Sequence, residues 1–292
     1  MKKTTLIILV ALAVAGVAQA DRMVDETRPL AADGRVEISN ISGEINVIGW
    51  SGDGVSITGK LEDGVEELAI SSGGSRLSIE VELERRTRNN GSAYLTIKVP
   101  RTADLEIETV SANISVDGVM GELQLESVSG RVEISGETRS VEASSVSGNV
   151  IATSTSGSSE LESVSGDIVV RHATGRLEAD VVSGHIEIEG GNLESLDAET
   201  VSGSIFCAAS PTDRGRFSIE TMSGTVEMVV SSEINADFYI ETYSGSIRND
   251  IGPKPKRTDK YSPGEELRFT AGSGGAKISM ESFSGSVKLR TN

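Results

Sequence analysis

The 292-residue sequence is poor in the residues that staple or catalyse: one cysteine, two histidines, six prolines and ten aromatic side chains. A lone Cys207 provides no internal disulfide framework, so packing and hydrogen bonds must hold the fold, and a buried thiol is expected there. So few aromatic residues leave a core of aliphatic and small side chains. There is no metal-ligand cluster, phosphate-binding loop or nucleophile motif, and no cofactor is expected. Basic residues are scarce too, 27 against 44 acidic, for a net charge of −17. Such a surface repels nucleic acid and anionic lipid and favours cations, cationic peptides or basic partners. No nucleic-acid partner is expected, and the ligand is an unidentified protein or surface.

Long apolar runs are also missing. The longest lies within residues 1–20, MKKTTLIILVALAVAGVAQA, and is shorter than the roughly 20 residues of a membrane helix. Two lysines precede it and Ala-Gln-Ala ends it, the pattern of a secretory signal peptide cleaved after Ala20. Loss of Lys2 and Lys3 takes the mature net charge from −17 to −19. The expectation is an exported chain, periplasmic or at the cell surface, with no transmembrane segment after cleavage.

Glycine is abundant, 32 residues, and much of it sits in one recurring word. ESVSG occurs at 126–130 and 162–166, with variants SSVSG, DVVSG, ETVSG, ETMSG, ETYSG and ESFSG further on. The serine before the glycine falls at Ser111, Ser129, Ser147, Ser165 and Ser183, 18 apart, then at Ser202, Ser223, Ser244 and Ser284. An earlier relative is Ser42-Gly43. Counted from that serine, positions −6, −4 and +3 are apolar: Leu123, Leu125 and Val132 in one repeat, Leu177, Ala179 and Ile186 in another. Apolar residues two apart mean strands with one buried face.

A unit of two short strands and two bends cannot bury its apolar face alone, but stacked copies can. The reading is all-β: a parallel β-solenoid (β-helix) of about 18 residues per coil with an irregular N-terminal β cap. An antiparallel sandwich of hairpins is the alternative, but it does not require the same letters every 18 positions. The expected organisation is a signal peptide over 1–20, an irregular β region over 21–100 that caps or starts the stack, and repeats over 101–292. A polar hairpin loop is expected at 85–91, and a Pro-rich, basic insertion at 252–275 reads as an exposed loop. Trp50 is expected in the core of the N-terminal cap.

Gly130, Gly148, Gly166, Gly184, Gly203, Gly224, Gly245 and Gly285 mark bends, where either a positive φ or crowding demands glycine. The serine before each is expected to bond the bend backbone. The apolar residue before that serine (Val128, Val164, Met222, Tyr243, Phe283 and equivalents) is expected to pack at the corner. The serines are not nucleophiles: each needs a base within reach, and His172 and His185 do not recur with the repeat.

The candidate site is a pair of acidic columns. Position −3 holds Glu108, Glu126, Glu162, Asp180, Glu199 and Glu220, and position −5 holds Glu106, Glu142, Glu160, Glu178 and Asp197. Both alternate with buried positions and so face outward. Stacked about 4.8 Å apart, like charges repel by roughly 1 kcal/mol per pair in water. Either a cation or basic partner bridges them, or they serve solubility. A uniform ladder offers no distinguished carboxylate pair for glycosidase chemistry, so the chain reads as no enzyme.

GRVEISNISGEINVIGW, GVSITGKL, LTIKVPRTADLEIETVSANISV and the recurring ETxSGxI resemble the bacterial "putative-adhesin" β-strand-repeat family, a domain of unknown function. The resemblance covers nearly all of the mature chain. It implies a parallel β-solenoid in the cell envelope and brings no catalytic residues; some relatives are linked to envelope-stress signalling. Three readings stay open: an exported binding surface, adhesive or otherwise interacting with the envelope; an envelope-stress sensor or scaffold binding cationic compounds or a membrane partner; and, weakest, a carbohydrate-active enzyme.

Overall fold

The computed structural model describes residues 21–84, 91–258 and 263–292. The expected signal peptide, most of the expected 85–91 loop and part of the 252–275 insertion lie outside these residues. Among the described residues there is no helix; twenty strands hydrogen-bond into one continuous, mostly parallel arrangement.

Its middle follows the sequence columns. Strands Glu122–Ser127, Ser140–Ser145 and Ser158–Ser163 pair in parallel, setting Leu123 beside Val141 and Val141 beside Ser159. Strands Val132–Ser135, Val150–Thr153 and Ile168–Arg171 do the same, Val132 beside Val150 beside Ile168. Residues 18 apart are thus lateral neighbours, and each repeat adds one rung to both rows of strands. Alternation places Leu123, Leu125, Val132 and Ile134 in the core and Gln124 and Glu126 outside it. Each such aliphatic side chain contributes roughly 1.5–3 kcal/mol by burial. Cys207 is buried in the same core as a free thiol, and burial pushes its pKa up to about 11.

The bends are built by crowding. A Cβ on any of the eight bend glycines would lie 1.6–2.4 Å from a carbonyl oxygen of the neighbouring rung. Positive φ is not the reason: among the eight only Gly224 has one, 159°, at the extended margin. The hydroxyl that serves the bend also differs from expectation. The serine next to the glycine faces solvent, and the residue at −2 turns inward instead. Ser127, Ser145 and Ser163 accept from the Gly130, Gly148 and Gly166 N–H at 2.8, 2.9 and 2.9 Å.

At the N-terminal end the strand Arg35–Trp50 is itself a rung, with Ser42 beside Ser111. Below it one row continues through Arg76–Leu83 to Val65–Gly73. The other row continues through Ala93–Pro100 and Val55–Leu61 to Arg22–Arg28. The outermost pairings in both rows are antiparallel. Trp50 is half-buried rather than core; its indole N–H donates to the Gly54 carbonyl at 3.1 Å, holding the turn that follows.

The C-terminal end departs from sequence order. The last strand, Ala276–Thr291, lies between Ile205–Val230 and Ala236–Asn249, pairing in parallel with both. Ser284 therefore sits beside Ser223 on one side and Ser244 on the other. The C-terminal repeat is thus an interior rung. Part of the 252–275 insertion is strand rather than loop: Glu265–Ala271 runs antiparallel along Ala236–Asn249 and covers that edge, with Phe269 stacked on Phe238 at 4.8 Å.

Candidate functional site

Register brings the acidic columns together as two rows. Glu108, Glu126, Ser144, Glu162, Asp180, Glu199 and Glu220 follow one another across successive rungs, and Glu281 and then Glu241 extend the row. The second row runs Glu106, Gln124, Glu142, Glu160, Glu178 and Asp197. Of the eleven candidate carboxylates, only Glu106 has an ion-pair partner among the described residues, Arg35 at 3.4 Å. No group of three or more among the described residues is arranged to hold a metal; the carboxylates form rows, not a cluster.

Burial and then neighbouring like charges raise four carboxyls of the two rows. Burial, then the charges of Glu199, Glu178, Asp197 and Glu162, pushes the Asp180 carboxyl from 3.8 up to about 6. Glu160, Asp197 and Glu199 are raised by burial first and neighbouring carboxylates second. A carboxyl with a raised folded pKa binds its proton more tightly in the folded chain than in the unfolded one. Stability therefore falls as pH rises from about 4 through about 6. Glu227 is shifted the opposite way, held low first by its hydrogen bond from Arg290. Because Asp180 is half-exposed, its share is about 1 kcal/mol rather than the full shift. The expected outcome is a melting midpoint higher at pH 5 than at pH 7.5. Asp180→Asn should melt a few degrees above wild type at pH 7.5 and narrow the difference; a midpoint that rises from pH 5 to 7.5 contradicts this account.

The residues at −1 were expected to pack at the corner, and they do not. Val182 is 50% exposed, Met222 56%, Tyr243 62% and Phe283 53%, and Val110, Val128, Val146, Val164 and Val201 are similarly open. They form a second outward row, apolar, beside the acidic one. Between the rows runs an open groove of about 850 Å³ lined by both. It widens in chemistry toward the C-terminal end, where Tyr243 stacks on Phe283 with ring centroids 4.7 Å apart and planes within 5°. The sequence carried the signal. Alternation runs −6 in, −5 out, −4 in, −3 out, −2 in, −1 out, so −1 shares the parity of the carboxylates.

Strands in columns, glycine-crowded bends and a mostly parallel sheet define an all-β repeat protein. The chain belongs to the Toastrack DUF4097 family, whose model matches residues 34–290. The family resemblance read from the sequence stands. No curated protein matches. Among solved structures, the chain is similar to a "putative adhesin" from Parabacteroides distasonis, 9% identical over 92% of this chain and 97% of that one, with a TM-score of 0.47. It is similar to another "putative adhesin", from Bacteroides fragilis, 12% identical over 92% and 97%, TM-score 0.33. A "putative lipid binding protein" from P. distasonis is 14% identical over 91% and 96%, TM-score 0.38. Among the described residues no helix is long and apolar enough to cross a membrane.

Proposed function

We propose that this chain is an exported β-solenoid of about 18 residues per coil that binds rather than catalyses. Its groove holds a basic partner that also carries apolar groups, as suits an adhesin or an envelope interaction protein. One observation carries the reading: a continuous outward row of Val, Met, Tyr and Phe lies beside a row of unpaired carboxylates. Contiguous apolar surface of this kind marks interaction sites. Solubility alone explains the carboxylates but not the apolar row next to them. A cationic partner with apolar groups relieves both, neutralising one wall and drying the other.

The test is a titration with an amphipathic cationic peptide at low and high salt, using wild type and the triple variant Glu199→Gln, Glu220→Gln, Glu281→Gln. Binding to wild type should weaken at least tenfold in the variant and fall with salt. Equal affinity for both proteins rejects the reading. Protease treatment of intact cells checks display at the surface against periplasmic residence.

A further inference from the structure

The face that carries the acidic rows changes character toward its C-terminal end. Position −5 holds Glu142, Glu160, Glu178 and Asp197 on successive rungs, then Ser218, Ser279 and Tyr239. Position −7 becomes basic at the same place, where Arg216 and Lys277 are direct neighbours in register. The two small serines leave a cleft of about 440 Å³ above them. It lies on the other side of the −3 carboxylates from the groove described above. Its volume is in the range of small-ligand sites.

One end of the cleft is an aromatic wall. Tyr239 lies between Arg268 of the outer strand and Ser279 of the inner one. The Arg268 guanidinium covers one ring face, 4.5 Å from the centroid, and the Tyr239 hydroxyl donates to Glu241. These contacts hold the ring, and its other face looks over Ser279 into the cleft. One long side is basic. Neither Arg216 nor Lys277 has a hydrogen bond or ion pair among the described residues. Asp237, beside Lys277 in register, takes the Thr270 hydroxyl instead. Two like charges on adjacent rungs, about 4.8 Å apart, repel each other. The other long side is acidic: Glu220 and Glu281 accept from the Ser218 and Ser279 hydroxyls at 3.1 and 3.2 Å. Asp197 stands at the end opposite the tyrosine.

We propose that this cleft binds the terminal sugar of an acidic saccharide, its carboxylate bridging Arg216 and Lys277 and one face of its ring resting on Tyr239. An arginine takes a carboxylate through two parallel N–H bonds, and a lysine adds a point charge. One anion between the two cations also relieves their repulsion. The face of an aromatic ring is the negative side of its quadrupole, which suits the C–H face of a sugar. The sugar's hydroxyls then donate to Glu220, Glu281 and Asp197. A flat aryl acid would meet the tyrosine but offer those carboxylates nothing to bond, a desolvation cost. A bare anion such as phosphate would leave the tyrosine unused. The acidic surface around the cleft repels a long polyanion, which confines binding to a chain end. This site is separate from the cationic groove and does not depend on it.

The test is calorimetry at low salt with four ligands: a disaccharide ending in glucuronate, the same disaccharide with that carboxyl reduced to the alcohol, benzoate, and inorganic phosphate. The acidic disaccharide should bind wild type at least tenfold more tightly than the other three. The double variant Arg216→Gln, Lys277→Gln, at two exposed positions, should abolish that preference and leave the affinity for the reduced sugar unchanged. Tyr239→Ser places there the residue that the two neighbouring rungs carry in the same column, and should weaken both sugars several-fold. Phe283→Ser, in the apolar wall of the other groove, should leave both sugar affinities unchanged. Equal affinity for the acidic and reduced sugars, benzoate or phosphate binding as tightly as the acidic sugar, or no effect of the Arg–Lys pair overturns the proposal. If Tyr239→Ser fails to fold, the Arg–Lys pair still decides it. Failure of the acidic disaccharide to bind wild type also overturns it, and leaves the cationic groove standing.

Discussion

Gly166→Val should lower the melting midpoint by roughly 10 °C or prevent folding. The added Cβ would sit 2.1 Å from the Gly148 carbonyl oxygen and 2.6 Å from its carbon, both backbone atoms. Gly148 cannot retreat, because its own Cβ position is already 1.9 Å from the Gly130 carbonyl oxygen. The strain therefore spreads to every rung below or separates two rungs and breaks their hydrogen bonds. Overpacking without room to relax costs about 3 kcal/mol or more. At 2–4 °C per kcal/mol for a domain of this size, that gives the stated shift. Gly73→Ala, where nothing lies within 4 Å of the new carbon, should leave the midpoint unchanged. A Gly166→Val protein that melts like wild type would mean the rungs are not this close.

Leu289→Asp should be nearly as damaging. Leu289 is 0% exposed and lies between Met228 of one rung and Asn249 of the other. The aspartate loses the leucine's packing and buries an unpaired charge, a combination worth about 4 kcal/mol or more. Arg290→Asp, on the exposed side of the same strand, should shift the midpoint far less. Thermal melts of the two variants decide it: similar midpoints would place the last strand at the end of the stack instead of inside it.

That placement is what the sequence could not reveal. Parallel register was legible because Leu123, Val141 and Ser159 fall 18 apart, and only side-by-side strands give identical spacing a purpose. Stacking order was not legible at the C-terminal end. Glu220, Glu241 and Glu281 carry the same letter in the same column, as do Ser223, Ser244 and Ser284, so either order satisfies every column. The choice is made by the antiparallel strand Glu265–Ala271, which caps Ala236–Asn249 and leaves the last strand only the inner position. The acidic rows were readable from alternation alone. The apolar row beside them was readable by the same parity, but an apolar side chain next to a bend invites the assumption that it is packed. The unpartnered hydroxyls of Thr200, Thr221 and Ser282 were beyond reach, since Thr200 and Ser163 share a column and the difference lies in where the N–H of the bend glycine three residues on is directed.

The interior seat of Ala276–Thr291 also bears on assembly. A stack whose rungs follow the chain can grow as the chain emerges, each new segment laid on the last. Here Ala236–Asn249 gains its inner neighbour only when a strand that comes after it in the chain takes its place between it and Ile205–Val230. That end of the stack is closed from within, as an arch is by its keystone.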